Sequence, residues 1–308
     1  MNSKEKSKKP LNIMVTGGSG FLGSHIADAL TNAGHNVFIY DIKPSPYLKA
    51  EQRMIDGDIL DEKELARRME GIDVVFHLAA LADLDVAQDN PHDAMRINVL
   101  GTANILEAAR KANVKRVVFA STIYVNSRTG SFYRVSKHSC ELLLEAYHER
   151  YGLEYTILRF GTLYGTRANE NNSVFRSLKE AFDTGKIEFR GTGDEVREYI
   201  HVQDAAEICT RILGDEYNGE TLILTGHHRM KLSEFLNMIK EILDNNDRSV
   251  EITYASDKSE SHYVQTPYSY IPRVGKKIVI NEYCDFGQSL VEILDKIGLE
   301  KPQKKITI

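Results

Sequence analysis

From Asn12 onward, short apolar runs alternate with longer amphipathic stretches. "NIMVTG", "NVFIYD", "VVFHLAA", "KRVVFAS" and "YTILRFG" are rich in β-branched and aromatic residues and end in small or turn residues. Between them, "SHIADALTNAG", "EKELARRMEG", "INVLGTANILEAARKAN" and "KHSCELLLEAYHERYG" repeat apolar positions at helical spacing. This alternation predicts an α/β fold, a doubly wound parallel sheet with helices on both faces. After Gly165 the alternation weakens. "SVFRSLKEAFDTG" and "LSEFLNMIKEILDN" read as helices among irregular segments, and "TPYSYIPRVGKK" reads as loop. The pattern predicts a first domain over residues 11–165 and a smaller, looser α/β domain over 166–308 that closes over a site on the first. "EYIHVQD" and "TLILTG", within 196–226, are candidates to return to the first sheet.

The chain has 308 residues, 42% of them hydrophobic, enough for a sizeable core. Its net charge of -5 argues against a nucleic-acid partner. The one basic run, "KEKSKKP", reads as part of a flexible tail over residues 1–10. Cys140, Cys209 and Cys284 are odd in number and far apart, so neither a disulfide framework nor a metal site is expected. They suit a reducing cytoplasm. No apolar core follows the charged N-terminus, and no run approaches the roughly 20 residues of a membrane span.

"VTGGSGFLGSH" places Gly17, Gly20 and Gly23 between an apolar strand and a helix. Glycines there permit a tight turn and close approach of backbone to a diphosphate at a helix N-terminus. The spacing is G-x-x-G-x-x-G, and by itself it also fits an ordinary strand-to-helix turn. The next strand ends at Asp41, eighteen positions after Gly23. A carboxylate there accepts hydrogen bonds from an adenosine ribose and repels a 2′-phosphate, which favours NAD over NADP; Lys43 close by softens that preference. Asp58, in "DGDILD", is placed to approach the adenine amine or to serve as a loop acid.

Two tyrosines compete for the role of base. Tyr133 and Lys137 lie four apart where a helix begins, so they share a face. Tyr124 precedes "VNSRTGS", a run of turn formers, and shares no face with Arg128. A free tyrosine, with a pKa of about 10, is a poor base at neutral pH, and a nearby ammonium lowers it by about 1–3 units. Tyr133 is therefore expected to take a proton from a sugar hydroxyl, with Lys137 lowering its pKa and holding the nicotinamide ribose. The hydroxyl of Thr122, at the end of "RVVFAST", is expected to bond the reacting oxygen, with Ser121 as its rival.

Together "TGGSGFLGSH", Asp41, "GDILD", "FHLAA", "NVLGT", "FAST", "YRVSK", "LRFGTLYG" and "REYIHV" make the chain resemble the extended short-chain dehydrogenases/reductases. Within that family it is similar to the nucleotide-sugar epimerases and dehydratases, UDP-glucose 4-epimerase among them. The resemblance covers nearly the whole chain. It implies a Rossmann fold, NAD, a nucleotide-sugar and a homodimer formed through paired helices. It implies that Gly17, Gly20, Phe21, Leu22, Gly23, Asp41, Ile42, Asp58, Ile59, Leu78, Ala79, Ala80 and Asn98 meet the cofactor. It implies Thr122, Tyr133 and Lys137 as the catalytic trio, and Thr162 and Arg197 at the substrate. A guanidinium suits a diphosphate because it donates in pairs; the bland alternative for Arg197 is a surface ion pair.

The chain departs from the family at three places. Only ten residues separate Thr122 from Tyr133, about half the usual number. Thr162 stands where the motif has asparagine. A second diphosphate-binding arginine is not evident, and Lys258, His262 and Arg273 are its possible substitutes. Dehydratases of the family carry an acidic pair after the threonine, where this chain has Ile123 and Tyr124, and its decarboxylases also keep an acid nearby. Simple reductases of the family prefer NADPH, which Asp41 opposes. Epimerisation is the expectation that remains. A net-redox sugar dehydrogenase or reductase, a dehydratase, and a non-catalytic dinucleotide sensor are the alternatives.

Overall fold

The computed structural model describes residues 9–226, 228–246, 248–255 and 264–268, all within one compact unit. Most of the basic tail, together with Lys258, His262, Arg273 and Cys284, lies outside them. The chain opens with β1 (Asn12–Thr16), α1 (Phe21–Asn32), β2 (Asn36–Asp41), β3 (Arg53–Asp56), α2 (Glu62–Arg68) and β4 (Val74–His77). Two short helices follow, α3 (Leu84–Asp89) and α4 (Pro91–Ala94), then a π-helical turn over Met95–Leu100 that runs into α5 (Gly101–Lys111). Next come β5 (Arg116–Thr122), a 3-10 turn over Ile123–Asn126, α6 (Ser131–Tyr151), β6 (Glu154–Phe160) and β7 (Thr162–Tyr164). The described part closes with α7 (Ser173–Thr184), β8 (Lys186–Arg190), β9 (Val196–His201), α8 (Val202–Arg211), β10 (Glu220–Leu224), β11 (His228–Lys231), α9 (Leu232–Asp244) and β12 (Glu251–Ala255).

The expected doubly wound sheet is present. Seven strands pair in parallel in the order β10-β6-β5-β4-β1-β2-β3. The chain moves outward from β1 through β2 and β3, then returns to β4 on the other side and moves outward again. That reversal leaves a crevice beyond the carboxyl ends of β1 and β4, where ligands of such sheets bind. Side chains of β1 alternate between the two faces, as a strand requires. Ile13 and Val15 pack with Ile26, Leu30 and Cys209 of α1 and α8. Met14 packs with Leu65, Ile105 and Leu144 of α2, α5 and α6.

Of the two strands expected to return to the sheet, β10 does, beside β6. The other, β9, does not: it pairs with β7 and β11 in a separate three-stranded sheet. The run "EYIHV" is apolar enough for either place. Its partners decide, and Leu163 lies opposite Ile200. A third small sheet pairs β8 with β12, packed on α7 and α9 through Ala181, Ile187, Leu236 and Ile239.

Candidate active site

A cavity of about 800 Å³ lies at the carboxyl ends of β1, β2, β4, β5 and β6. Among the residues expected at the cofactor, Gly17, Gly20, Phe21, Leu22, Gly23, Asp41, Ile42, Asp58, Ile59, Leu78, Ala79 and Ala80 line it. Thr122, Tyr133 and Lys137 line the same cavity. A sequence span of 120 positions thus converges on one space because strand ends in a parallel sheet all face one way.

The glycine turn is tight for identifiable reasons. Gly17 has φ +70, and a Cβ there would meet the Ala79 nitrogen at 2.7 Å. A Cβ on Gly23 would lie 2.2 Å from the Gly17 carbonyl oxygen. Helix α1 begins with no side-chain cap and no acid in its first turn. Its leading N–H groups therefore suit an anion such as a diphosphate. At the end of β2, Asp41 accepts hydrogen bonds from Ser19 N (3.0 Å) and Lys43 N (3.1 Å), one on each carboxylate oxygen. Each oxygen keeps acceptor capacity for a ribose hydroxyl. The chain's own groups thus fit a dinucleotide from diphosphate cradle to ribose acceptor.

Tyr40 was not legible as part of this site. Its ring is fully buried under Gly57, where a Cβ would meet the ring at 2.4 Å, and its hydroxyl donates to Asp58 O at 3.0 Å. It thereby shapes the turn that carries Asp58 and Ile59. Asn98 stands behind this lining. It is buried and does not line the cavity; its amide accepts from Leu81 N (2.7 Å) and donates to Leu81 O (3.1 Å) and Ser136 Oγ (2.8 Å). The π-helical turn swings the amide inward, where it ties the loop after β4 to α6.

At the other end of the cavity, Lys137 is 3% exposed and donates to Ala120 O at 2.8 Å. Its ammonium lies 4.7 Å from the Phe119 ring centre and 5.9 Å from that of Tyr133. Burial brings its pKa down to about 8. Burial also pushes the Tyr133 phenol above its ordinary value, while a hydrogen bond with Thr122 pulls it the other way. The expectation that Lys137 lowers the Tyr133 pKa is not met in the protein alone, because desolvation of the phenol outweighs its neighbours. Ser121 is committed elsewhere: its hydroxyl donates to Glu141 Oε1 at 2.5 Å. The geometry thus sets Thr122, and not Ser121, beside Tyr133.

The short link between Thr122 and Tyr133 is compact. Ile123, Val125, Asn126 and Ser127 are buried, and Gly130 and Ser131 turn the chain into α6 with φ +107 and +49. Tyr124 sits in the 3-10 turn against Gly130, off α6 and outside the cavity lining.

Thr162 and Arg197, expected at the substrate, do not line the cavity among the described residues. Arg197 stands on β9 and Thr162 on β7, both in the second sheet, where the next residue of β7, Leu163, is the one that lines the cavity. Instead, Asn169, Asn171 and Asn172 reach the cavity from the strap between β7 and α7. Sequence reasoning missed this strap; its signal was the polar run "TRANENN". Arg167 anchors it at φ +68, with an ion pair to Asp28 of α1 (2.8 Å) and its guanidinium 4.5 Å from the Tyr47 ring centre. His25 bonds Thr166 O at 2.9 Å. No group of three or more potential metal ligands occurs among the described residues, and no described helix is long and apolar enough to cross a membrane.

Comparison with known proteins places these features in context. The profile of a family described as the NAD dependent epimerase/dehydratase family matches residues 13–224. The chain is 31% identical to the uncharacterized UDP-glucose epimerase YtcB of Bacillus subtilis, over 75% of this chain and 82% of that protein. It is 28% identical to the UDP-N-acetyl-alpha-D-glucosaminuronate decarboxylase of Bacillus cytotoxicus, over 89% of this chain and 91% of that one. Among solved structures, the UDP-glucose 4-epimerase of Thermotoga maritima with UDP-glucose matches with a TM-score of 0.76 at 26% identity, covering 84% of this chain and 90% of that one.

Proposed function

The chain belongs to the NAD dependent epimerase/dehydratase family, and on that premise we propose that it inverts one carbon of a nucleotide-sugar, a UDP-hexose at C4. One observation carries the choice of reaction. Among the described lining residues the titratable groups are Tyr40, Arg96, Tyr133, Lys137 and the carboxylates Asp41 and Asp58; those carboxylates stand at and after the ends of β2 and β3, and no lining carboxylate accompanies Tyr133 and Lys137 at the end of β5. Water loss needs a further acid or base, whereas oxidation and reduction at one carbon needs a single proton acceptor.

Bound NAD supplies the site that takes hydride from the sugar carbon and gives it back. Tyr133 takes the hydroxyl proton and later returns it. Thr122, which lines the cavity with Tyr133, orients the reacting oxygen. Lys137, fixed by Ala120 O, holds its charge beside the phenol and the ribose. The strap asparagines, which line the cavity, are proposed to meet the sugar, and Arg197, outside that lining, to reach only the far end of the nucleotide diphosphate. The reading predicts that wild-type protein incubated with a UDP-hexose yields the C4 epimer by NMR with no net rise in absorbance of reduced cofactor. A stoichiometric rise would favour a dehydrogenase, and no turnover of any nucleotide-sugar would favour a sensor.

The position of Asp41 leads to a preference for NAD. A 2′-phosphate would face its carboxylate, and like charges brought together cost several kcal/mol. Asp41→Ala is expected to reduce the ratio of NAD to NADP affinity by roughly tenfold or more, measured by calorimetry. Tighter binding of NADP by the wild type would refute the assignment.

The reading includes a homodimer. Leu100, on the turn that runs into α5, and Val135 and Leu142, on α6, are exposed apolar side chains. Burying them against a second copy removes that surface from water. Sedimentation at micromolar concentration is expected to show a dimer, and a monomer alone would contradict it. Buried free thiols at Cys140 and Cys209 suit the cytoplasm proposed here.

A further inference from the structure

We propose that Glu141 is a positioning residue for the chemistry of Tyr133 and Lys137, acting as a clamp between the end of β5 and α6. The proposal rests on the reading that those two residues do the proton work. Tyr133, Lys137 and Glu141 recur every four residues along α6, so they lie along one face. Each engages one of three consecutive residues that end β5. Lys137 donates to Ala120 O (2.8 Å), Ser121 donates to Glu141 (2.5 Å), and Thr122 lines the cavity with Tyr133, whose pKa its hydroxyl lowers.

Glu141 is 2% exposed. From β6, Arg159 grips both of its oxygens, Nε to Oε1 at 3.0 Å and Nη2 to Oε2 at 2.7 Å. Ser121 and Arg159 are register partners across β5 and β6. The carboxylate therefore stands where two strands and the catalytic helix meet, one turn beyond Lys137. Apolar residues would fill such a place without the cost of burying a carboxylate against a half-buried guanidinium. What the pair adds is a fixed distance between α6 and the strand end that carries Thr122.

The clamp is also electrical. The titratable and charged groups around Lys137 are Tyr133, Cys140 and Glu141 on its own helix, His77 on β4 and, behind Glu141, Arg159 on β6. Burial keeps His77 neutral, with a pKa down at about 3, and raises the Cys140 thiol. Cys140 and then Glu141 oppose the lowering of the Lys137 pKa by burial; with the thiol held protonated by its own burial, the Glu141 carboxylate, paired with Arg159, is what carries the charge. Without that charge, Lys137 loses its proton at lower pH, and the basic limb of the rate profile moves down with it.

The test uses Glu141→Gln, which keeps the shape and an acceptor for Ser121, and Glu141→Gln with Arg159→Met, which leaves no unpaired cation on β6. Both variants are expected to turn over the wild type's UDP-sugar roughly 10- to 100-fold more slowly, as misplacement near 1 Å does. NAD affinity should stay within about threefold, since the glycine turn and Asp41 are untouched. The midpoint of Lys137, followed by NMR of ¹³C-labelled lysine in cofactor-free protein, should fall in Glu141→Gln and in the double variant alike. Wild-type turnover in both variants would overturn the proposal. So would an unmoved Lys137 midpoint with turnover restored in the double variant, since that pattern is loss of stability alone. Should Glu141→Gln not fold, the double variant decides. The NMR midpoint needs no substrate, so it tests the clamp independently; failure of the proton roles themselves would show as wild-type turnover in Tyr133→Phe.

Discussion

Tyr133→Phe is expected to lower turnover by roughly 10²–10⁴, the range for loss of a general acid–base group. The substitution removes one oxygen and keeps the ring in its place against Lys137. NAD binding should survive, because the glycine turn, Asp41 and Lys137 stay as they are. Tyr133 is half-buried and its phenol is influenced by the Thr122 hydroxyl, so the variant also removes a polar neighbour of Thr122. A modest loss of stability is therefore part of the expectation, of about 1 kcal/mol. Tyr124→Phe is the paired control. Tyr124 sits in the 3-10 turn off α6, and its effect should be far smaller. If Tyr124→Phe abolishes turnover while Tyr133→Phe leaves it near wild type, the base has been assigned to the wrong tyrosine.

The second large effect concerns Gly23→Ala. The added methyl would lie 2.2 Å from Gly17 O, 2.8 Å from Gly18 Cα and 2.9 Å from Gly17 C. All three are backbone atoms of the same turn, so no side chain can swing aside. The turn must open, and it carries both Gly17 against Ala79 and the N–H of Ser19 that holds Asp41. Overpacking of this kind costs about 1–3 kcal/mol, and the upper end corresponds to roughly 10²-fold in affinity. NAD binding by calorimetry should weaken by about that factor, with a lower melting temperature. Wild-type affinity in a folded Gly23→Ala protein would mean that the turn does not cradle the cofactor.

How much of this was legible in the sequence depends on whether a feature is local. The glycine turn, Asp41 and the shared face of Tyr133 and Lys137 follow from spacing within one strand–helix unit, and the structure brings them to one cavity. Features that need two distant segments were not legible. The pairing of Glu141 with Arg159 requires the register of β5 against β6, which places Ser121 opposite Arg159. The membership of β9 in the second sheet depends on β7 and β11, not on its own apolar run. Tyr40 reads as one more strand residue until Gly57 is seen on its ring. Asn98 shows that a motif residue can shape a site from behind, through Leu81 and Ser136. The Tyr133 pKa failed for a different reason. Spacing reveals the charge four residues away but not the desolvation, which is the largest influence on the phenol.

The central claim is that one carbon of the sugar is oxidised and reduced in place, with Tyr133 moving the proton. It is tested most directly with a UDP-hexose carrying deuterium at that carbon, incubated with the wild-type protein and followed by NMR and mass spectrometry. The account predicts the epimer with deuterium retained on the same carbon and no reduced cofactor accumulating. Deuterium lost to water, moved to another carbon of the sugar or left on reduced cofactor in step with product would contradict it.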